Sequence, residues 1–125
     1  MNRIVIIGGG ASGITAAITA AKAGAEVTVL ERENKPLKKL AMTGNGKCNL
    51  SNADVSVKNY RGEDPGFAAY ALSVFDSHMT EDFFEKLGVF TLHREGRIYP
   101  RTEQASSVLD ALRLHIKENG VNVIT

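Results

Sequence analysis

Three glycines and one carboxylate carry the clearest chemistry in the chain. Gly8, Gly10 and Gly13 are spaced as GxGxxG, and Glu31 follows the last of them by 18 residues. In such a turn Gly8 permits the tight bend, Gly10 lets backbone approach a pyrophosphate, and Gly13 lets a following helix pack closely on the preceding strand. Unpaired N–H groups at the start of that helix favour an anion. A carboxylate at the end of the next strand accepts hydrogen bonds from an adenosine ribose and repels a 2′-phosphate, which favours FAD or NAD over NADP. A second cluster, Thr43-Gly44-Asn45-Gly46-Lys47-Cys48-Asn49, is rich in backbone amide donors and poor in side chains, and is suited to lie along a flavin or a pyrophosphate.

Other chemistries find less support. A P-loop fails at Ala41, which stands where its first glycine belongs, and at Cys48, which replaces the hydroxyl. Cys48 is the single cysteine, so the redox disulfide of flavin disulfide reductases has no second thiol. Its remaining roles are a small packing residue close to the cofactor or an activated thiol, and packing is the expectation. His78, His93 and His115 are scattered without metal-ligand spacing, so no metal is expected. Arg32, Lys35, Lys38 and Lys39 read in part as a solvated loop. Asn49-Leu50-Ser51 is a glycosylation sequon without an export signal. His93 and Arg97 read as surface groups, and no residue stands out as acid, base or nucleophile, so the catalytic residues are unknown. With 15 Lys plus Arg against 14 Asp plus Glu, the net charge of +1 lacks the footprint of a phosphate-backbone binder. Nucleic acid is not the expected partner.

The elements that must position these groups follow from periodicity. Ile4 to Ile7 is a β-branched run of the kind buried on both faces of a sheet. Ile14, Ala17, Ile18 and Ala21 then recur on one helical face, closed by Lys22 and Gly24, and Val27 to Leu30 is a second strand. A strand, helix, strand unit results. The same N-terminal stretch is a poor signal peptide, because four apolar residues precede three glycines where about 7–15 continuous ones are needed. A membrane span is excluded likewise, and a cytoplasmic location is expected.

Residues 54–64 read as a loop. Phe67, Tyr70, Ala71, Val74 and Phe75 recur at helical spacing and read as core. Phe83, Phe84 and Leu87 continue in a short helix ended by Gly88. Val89 to Leu92 and Arg97 to Tyr99 flank Arg94-Glu95-Gly96 as a hairpin that Pro100 ends. A last helix carries Ala105, Val108, Leu109, Leu112 and Ile116, and Val121 to Ile124 begins another strand. Ordinary composition, 43% hydrophobic and 23% charged, fits one α/β domain over 1–125.

The segments Gly8-Gly9-Gly10-Ala11-Ser12-Gly13, Glu31-Arg32, Lys38 to Asn52 and Gly96-Arg97-Ile98-Tyr99-Pro100 together resemble the BaiN/YhiN-type flavoproteins, some of which are called the aminoacetone-oxidase family. The resemblance covers essentially the whole chain. It implies a Rossmann-like FAD/NAD(P)-binding fold and a flavin-dependent oxidoreductase acting on a small molecule. It also implies a cofactor-binding set: Gly8, Gly10, Ser12, Gly13, Glu31, Arg32, Thr43, Gly44, Asn45, Gly46, Cys48 and Asn49. Lys47 stands where arginine is commoner in the family, and Ser51 where threonine is. Members are longer, so the chain is expected to be an incomplete N-terminal portion without turnover of its own. It would then self-associate along an open sheet edge, or be complemented by a chain carrying the rest of the fold. An NAD-dependent dehydrogenase domain and a non-catalytic nucleotide-binding or assembly module remain as alternatives.

Overall fold

The structure, a computed structural model, describes all residues from Met1 to Thr125. Its first three elements are β1 (Arg3–Ile7), α1 (Ala11–Lys22) and β2 (Glu26–Leu30). They form because local pattern and punctuation agree: Ile14, Ala17 and Ile18 bury one face of α1, and Gly24, at φ +88°, carries the chain out of the helix. The two strands pair in parallel, with Ile4 opposite Val27 and Ile7 opposite Leu30. Much later, α4 (Ala105–Glu118) buries Ala105, Val108, Leu109, Leu112 and Ile116, the stripe expected of it. It returns the chain to β6 (Asn122–Ile124), which pairs in parallel with β2, giving the order β1-β2-β6. The main core lies between this sheet and α1 and α4, with Leu37 and Cys48 entering it from connecting segments.

The sheet corrects one expectation. Two crossovers stepping the same way across a sheet, with the right hand such connections almost always take, leave their helices on one face. Indeed α1 packs against α4. Only that face is covered, so the β1 run is not buried on both sides. Ile7, Leu30 and Ile124 form an exposed cross-strand row on the other face, and Val5 is 63% exposed. The outer edge of β1 has no strand partner.

Between β2 and α4 the chain builds a second, antiparallel sheet that periodicity did not anticipate in full. It comprises β3 (Ser51–Asn52), β4 (Thr91–Arg94) and β5 (Arg97–Pro100), in the order β3-β5-β4. The hairpin turn is shorter than expected. Arg94 pairs with Arg97 inside the ladder and Pro100 with Thr91, so only Glu95 and Gly96 turn, both with left-handed backbone, at φ +49° and +78°. That is the geometry a two-residue hairpin loop requires.

Two helices precede the hairpin, α2 (Ala69–Val74) and α3 (Ser77–Lys86). Asp76 caps α3 by accepting the Met79 N–H at 2.9 Å. Phe83 and Phe84 meet edge to face and pack on the core as expected. The Phe67 to Phe75 group does not: Phe67 is 88% and Tyr70 78% exposed. Helical spacing shows that these residues share a face, and says nothing about what that face meets.

Candidate functional site: the turn after the first strand

Each glycine of the turn has a distinct geometric reason. Gly8 sits at φ +101°, and its N–H donates to the Leu30 carbonyl at 2.7 Å, tying the turn to the end of β2. A Cβ on Gly13 would lie 1.9 Å from the Gly8 oxygen and 3.3 Å from Ile6 Cγ2, so α1 reaches β1 only because that atom is missing. Gly10 is the helix N-cap in extended backbone, and a Cβ there would meet nothing within 4 Å. No side chain caps α1, whose first internal bond is the Ile14 N–H to the Gly10 carbonyl. The N–H groups of Ala11, Ser12 and Gly13 thus lack an intrahelical acceptor.

Glu31 is fixed against this turn. One carboxylate oxygen accepts the Gly9 N–H at 2.6 Å, the other the Glu33 N–H at 2.8 Å. These two N–H groups, Glu33's foremost, hold the carboxyl below the ordinary value of 4.5 against an opposing effect of burial. A carboxylate oxygen has more than one lone pair, so each keeps capacity for a hydroxyl donor. The carboxylate faces a cavity of about 190 Å³ shared with Gly9, Gly10, Arg32, Lys38 and Lys39. Arg32 is exposed there, while Lys38 is paired with Glu33 at 2.7 Å.

Sequence reasoning missed Gly9. A Cβ there would stand 3.0 Å from the Glu31 Oε2 and 3.1 Å from the Pro36 Cβ, and its carbonyl accepts the Leu37 N–H at 2.8 Å. The available signal was three consecutive glycines where the fingerprint asks only for the outer two.

The second cluster is two short helical turns within Leu40–Gly46, broken where Thr43 is extended and Gly44 and Asn45 are left-handed at φ +56° and +55°. The Cys48 N–H closes the loop on the Thr43 carbonyl at 2.9 Å. Behind it, a Cβ on Gly44 would lie 2.6 Å from the Asn49 nitrogen and 3.1 Å from Tyr99 Cε1. The Asn49 amide, turned so that its nitrogen faces carbonyls, donates to Ser51 at 2.9 Å and Ile98 at 3.1 Å. With Ser51 opposite Ile98 in the small sheet, these bonds join the glycine cluster to Gly96 to Pro100 as one unit. Ser12 and Asn49 come together on a groove of about 780 Å³ along the outward face of α1, also lined by Phe83 and Phe84. Thr43, Asn45 and Gly46 are exposed and line neither this groove nor the Glu31 cavity.

Cys48 is fully buried, and burial pushes its thiol up while Thr43 pulls weakly the other way. Its thiol should therefore resist an aromatic disulfide reagent at neutral pH and react in full only after denaturation. Absorbance of the released thiolate reads this, and labelling of the native protein at the rate of free cysteine would contradict the burial. No helix is long and apolar enough to cross a membrane.

Comparison with known proteins agrees with this geometry. The family described as the HI0933-like protein Rossmann domain matches residues 2–125. The chain is 49% identical over 127 residues to a 3-dehydro-bile acid delta(4,6)-reductase of Clostridium scindens, covering 100% of this chain and 31% of that protein. It is 34% identical over 85 residues to the ribosomal RNA dihydrouridine synthase of Escherichia coli, covering 68% of this chain and 21% of that one. The chain thus spans a third or less of the length of these relatives. Among solved structures, Thermovibrio ammonificans THI4 aligns with a TM-score of 0.63 at 16% identity, over 98% of this chain and 37% of that one, a likeness of fold alone. The glycine turn, the parallel sheet behind it and a family match over residues 2–125 lead to one conclusion: the chain belongs to the HI0933-like family and has the dinucleotide-binding Rossmann fold.

Proposed function

We propose that this chain is the FAD-binding segment of a flavin-dependent oxidoreductase acting in the cytoplasm on a small-molecule substrate. The observation that carries the reading is the Glu31 carboxylate, held by two N–H groups yet open to a cavity beside Gly10 and the uncapped start of α1. Those residues fit a dinucleotide. The first N–H groups of α1, with the Ser12 hydroxyl, hold the pyrophosphate. Glu31 takes the ribose hydroxyls, and Arg32 flanks them. Thr43 to Gly46 and Asn49 border the flavin end, with Cys48 packed beneath. When bound, the flavin supplies the hydride chemistry, and the protein supplies placement. The reductase relative supports a reductive direction. The dihydrouridine synthase relatives are named for an RNA substrate, but a net charge of +1 argues against phosphate tracking by this chain.

The test is a visible spectrum of the full-length protein, with the supernatant examined after acid denaturation. Yellow protein releasing FAD is expected. Colourless protein with NAD affinity would replace this reading with the dehydrogenase, and absence of both would leave a non-catalytic nucleotide-binding or assembly module. The unpaired β1 edge also invites a further strand, from another part of the protein or a second copy. Size exclusion with light scattering on the 125-residue chain is expected to show association and weak FAD retention. A monodisperse monomer holding stoichiometric FAD would remove that part of the proposal.

A further inference from the structure

Two arginines stand directly opposite each other at the end of the β4–β5 ladder. Arg94 pairs with Arg97 beside the turn, and like charges opposed in this way repel. Lys47, from the second glycine cluster, joins them, and the three cations line a hollow of about 350 Å³ with Glu95 and Tyr99. Two of the cations are held in place. Glu103 accepts Arg94 Nη2 at 2.7 Å on one carboxylate oxygen and Lys47 Nζ at 3.3 Å on the other. Glu103 itself is kept at φ +51°, a left-handed backbone that costs energy in any residue with a side chain. Arg97 has no carboxylate partner, so three cations against Glu95 and Glu103 leave 3 − 2 = +1 at the hollow. Tyr99 forms a firm wall, its ring packed against Gly44.

We propose that this hollow binds a single oxyanionic group, a carboxylate or a phosphate, carried by a small molecule. Arg97 grips it through its planar fork, and Glu103 holds Arg94 and Lys47 in place beside it. A guanidinium matches such a group with two parallel N–H donors, which an ammonium does not. The volume suits a compact ligand. A polynucleotide would instead need several phosphate contacts, which one hollow on a chain of net charge +1 does not offer. The hollow shares no lining residue with the Glu31 cavity, although Lys47 and Tyr99 adjoin the glycine cluster placed at the flavin end.

The experiment is calorimetric titration of the full-length protein with inorganic phosphate, with acetate and with a short oligoribonucleotide, at ionic strength held constant with chloride. Saturable one-to-one binding of phosphate or acetate is expected, and the tighter of the two identifies the group. Arg97→Gln should weaken it about tenfold or more, and Arg97→Lys by less. Glu95→Gln, on an exposed turn, should tighten it, which keeps a readout available if the Arg97 variants fold poorly. Thermal melts of each variant in anion-free buffer check the fold. Three results would overturn the proposal: no saturable binding of either small anion, binding unchanged by both the Arg97 and Glu95 variants, or oligoribonucleotide binding that small anions do not displace.

Discussion

Replacing Gly13 with alanine is expected to lower stability more than any other single change in the nucleotide-binding turn. The new Cβ would be placed 1.9 Å from the Gly8 carbonyl oxygen, and the obstacle is backbone rather than the end of a flexible side chain. Relief requires α1 to lift away from β1, which separates Ile14, Ala17 and Ile18 from the sheet they cover. Overpacking a well-filled interior typically costs about 1–3 kcal/mol, occasionally more. Here a value at or above about 3 kcal/mol is expected, a large share of the ~5–15 kcal/mol that holds a typical domain together. Urea unfolding checks it, through a lower midpoint at unchanged slope. Gly10→Ala is the matched control. Its Cβ meets nothing within 4 Å, so it should cost about 1 kcal/mol or less as a poorer N-cap while impairing dinucleotide binding. If Gly13→Ala unfolds at the wild-type midpoint, the close approach of α1 to β1 is wrong.

Glu31→Gln is expected to reduce FAD affinity about ten- to a hundredfold in full-length protein, because the charged acceptor for the ribose hydroxyls is removed. The structure adds a second consequence. Glu31 already accepts the Gly9 and Glu33 N–H groups, one on each oxygen, whereas a glutamine has one acceptor oxygen and must turn its NH₂ toward one of those donors. The turn and the ribose site therefore weaken together. FMN, which lacks the adenosine ribose, should lose far less affinity than FAD. The pH dependence carries a sign as well. The folded carboxyl lies below its ordinary value of 4.5, so its contribution to stability is present above that value and is lost as pH falls through the lower folded one. The stability gap between wild type and Glu31→Gln should close in acid. Unchanged FAD affinity in a well-folded variant would sink the ribose assignment.

The parts of this protein that were legible in its sequence are those whose cause is local. GxGxxG between a β-branched run and a helical stripe specifies a strand, a turn and a helix, because backbone dihedrals and helix–strand contact act within about ten residues of each other. The stripe on α4 was readable for the same reason: five apolar residues at helical spacing need a core to face, and they found one. Tertiary structure alone decided matters that depend on partners far along the chain. Gly9 belongs to the site because Glu31 folds back onto it, a contact 22 residues away that the run of three glycines hints at without naming its partner. Ser51 and Asn52 become a strand only because Ile98 and Arg97 offer an edge, more than 40 residues later. The helical spacing around Tyr70 was real, yet no element arrives to cover it. Lys47 and Arg94, far apart in sequence and bridged by Glu103, line a hollow with Arg97 only because the small sheet brings the glycine cluster beside the hairpin. Periodicity reports which residues share a face, whereas the neighbour a face meets is set by chain crossings that no local pattern encodes.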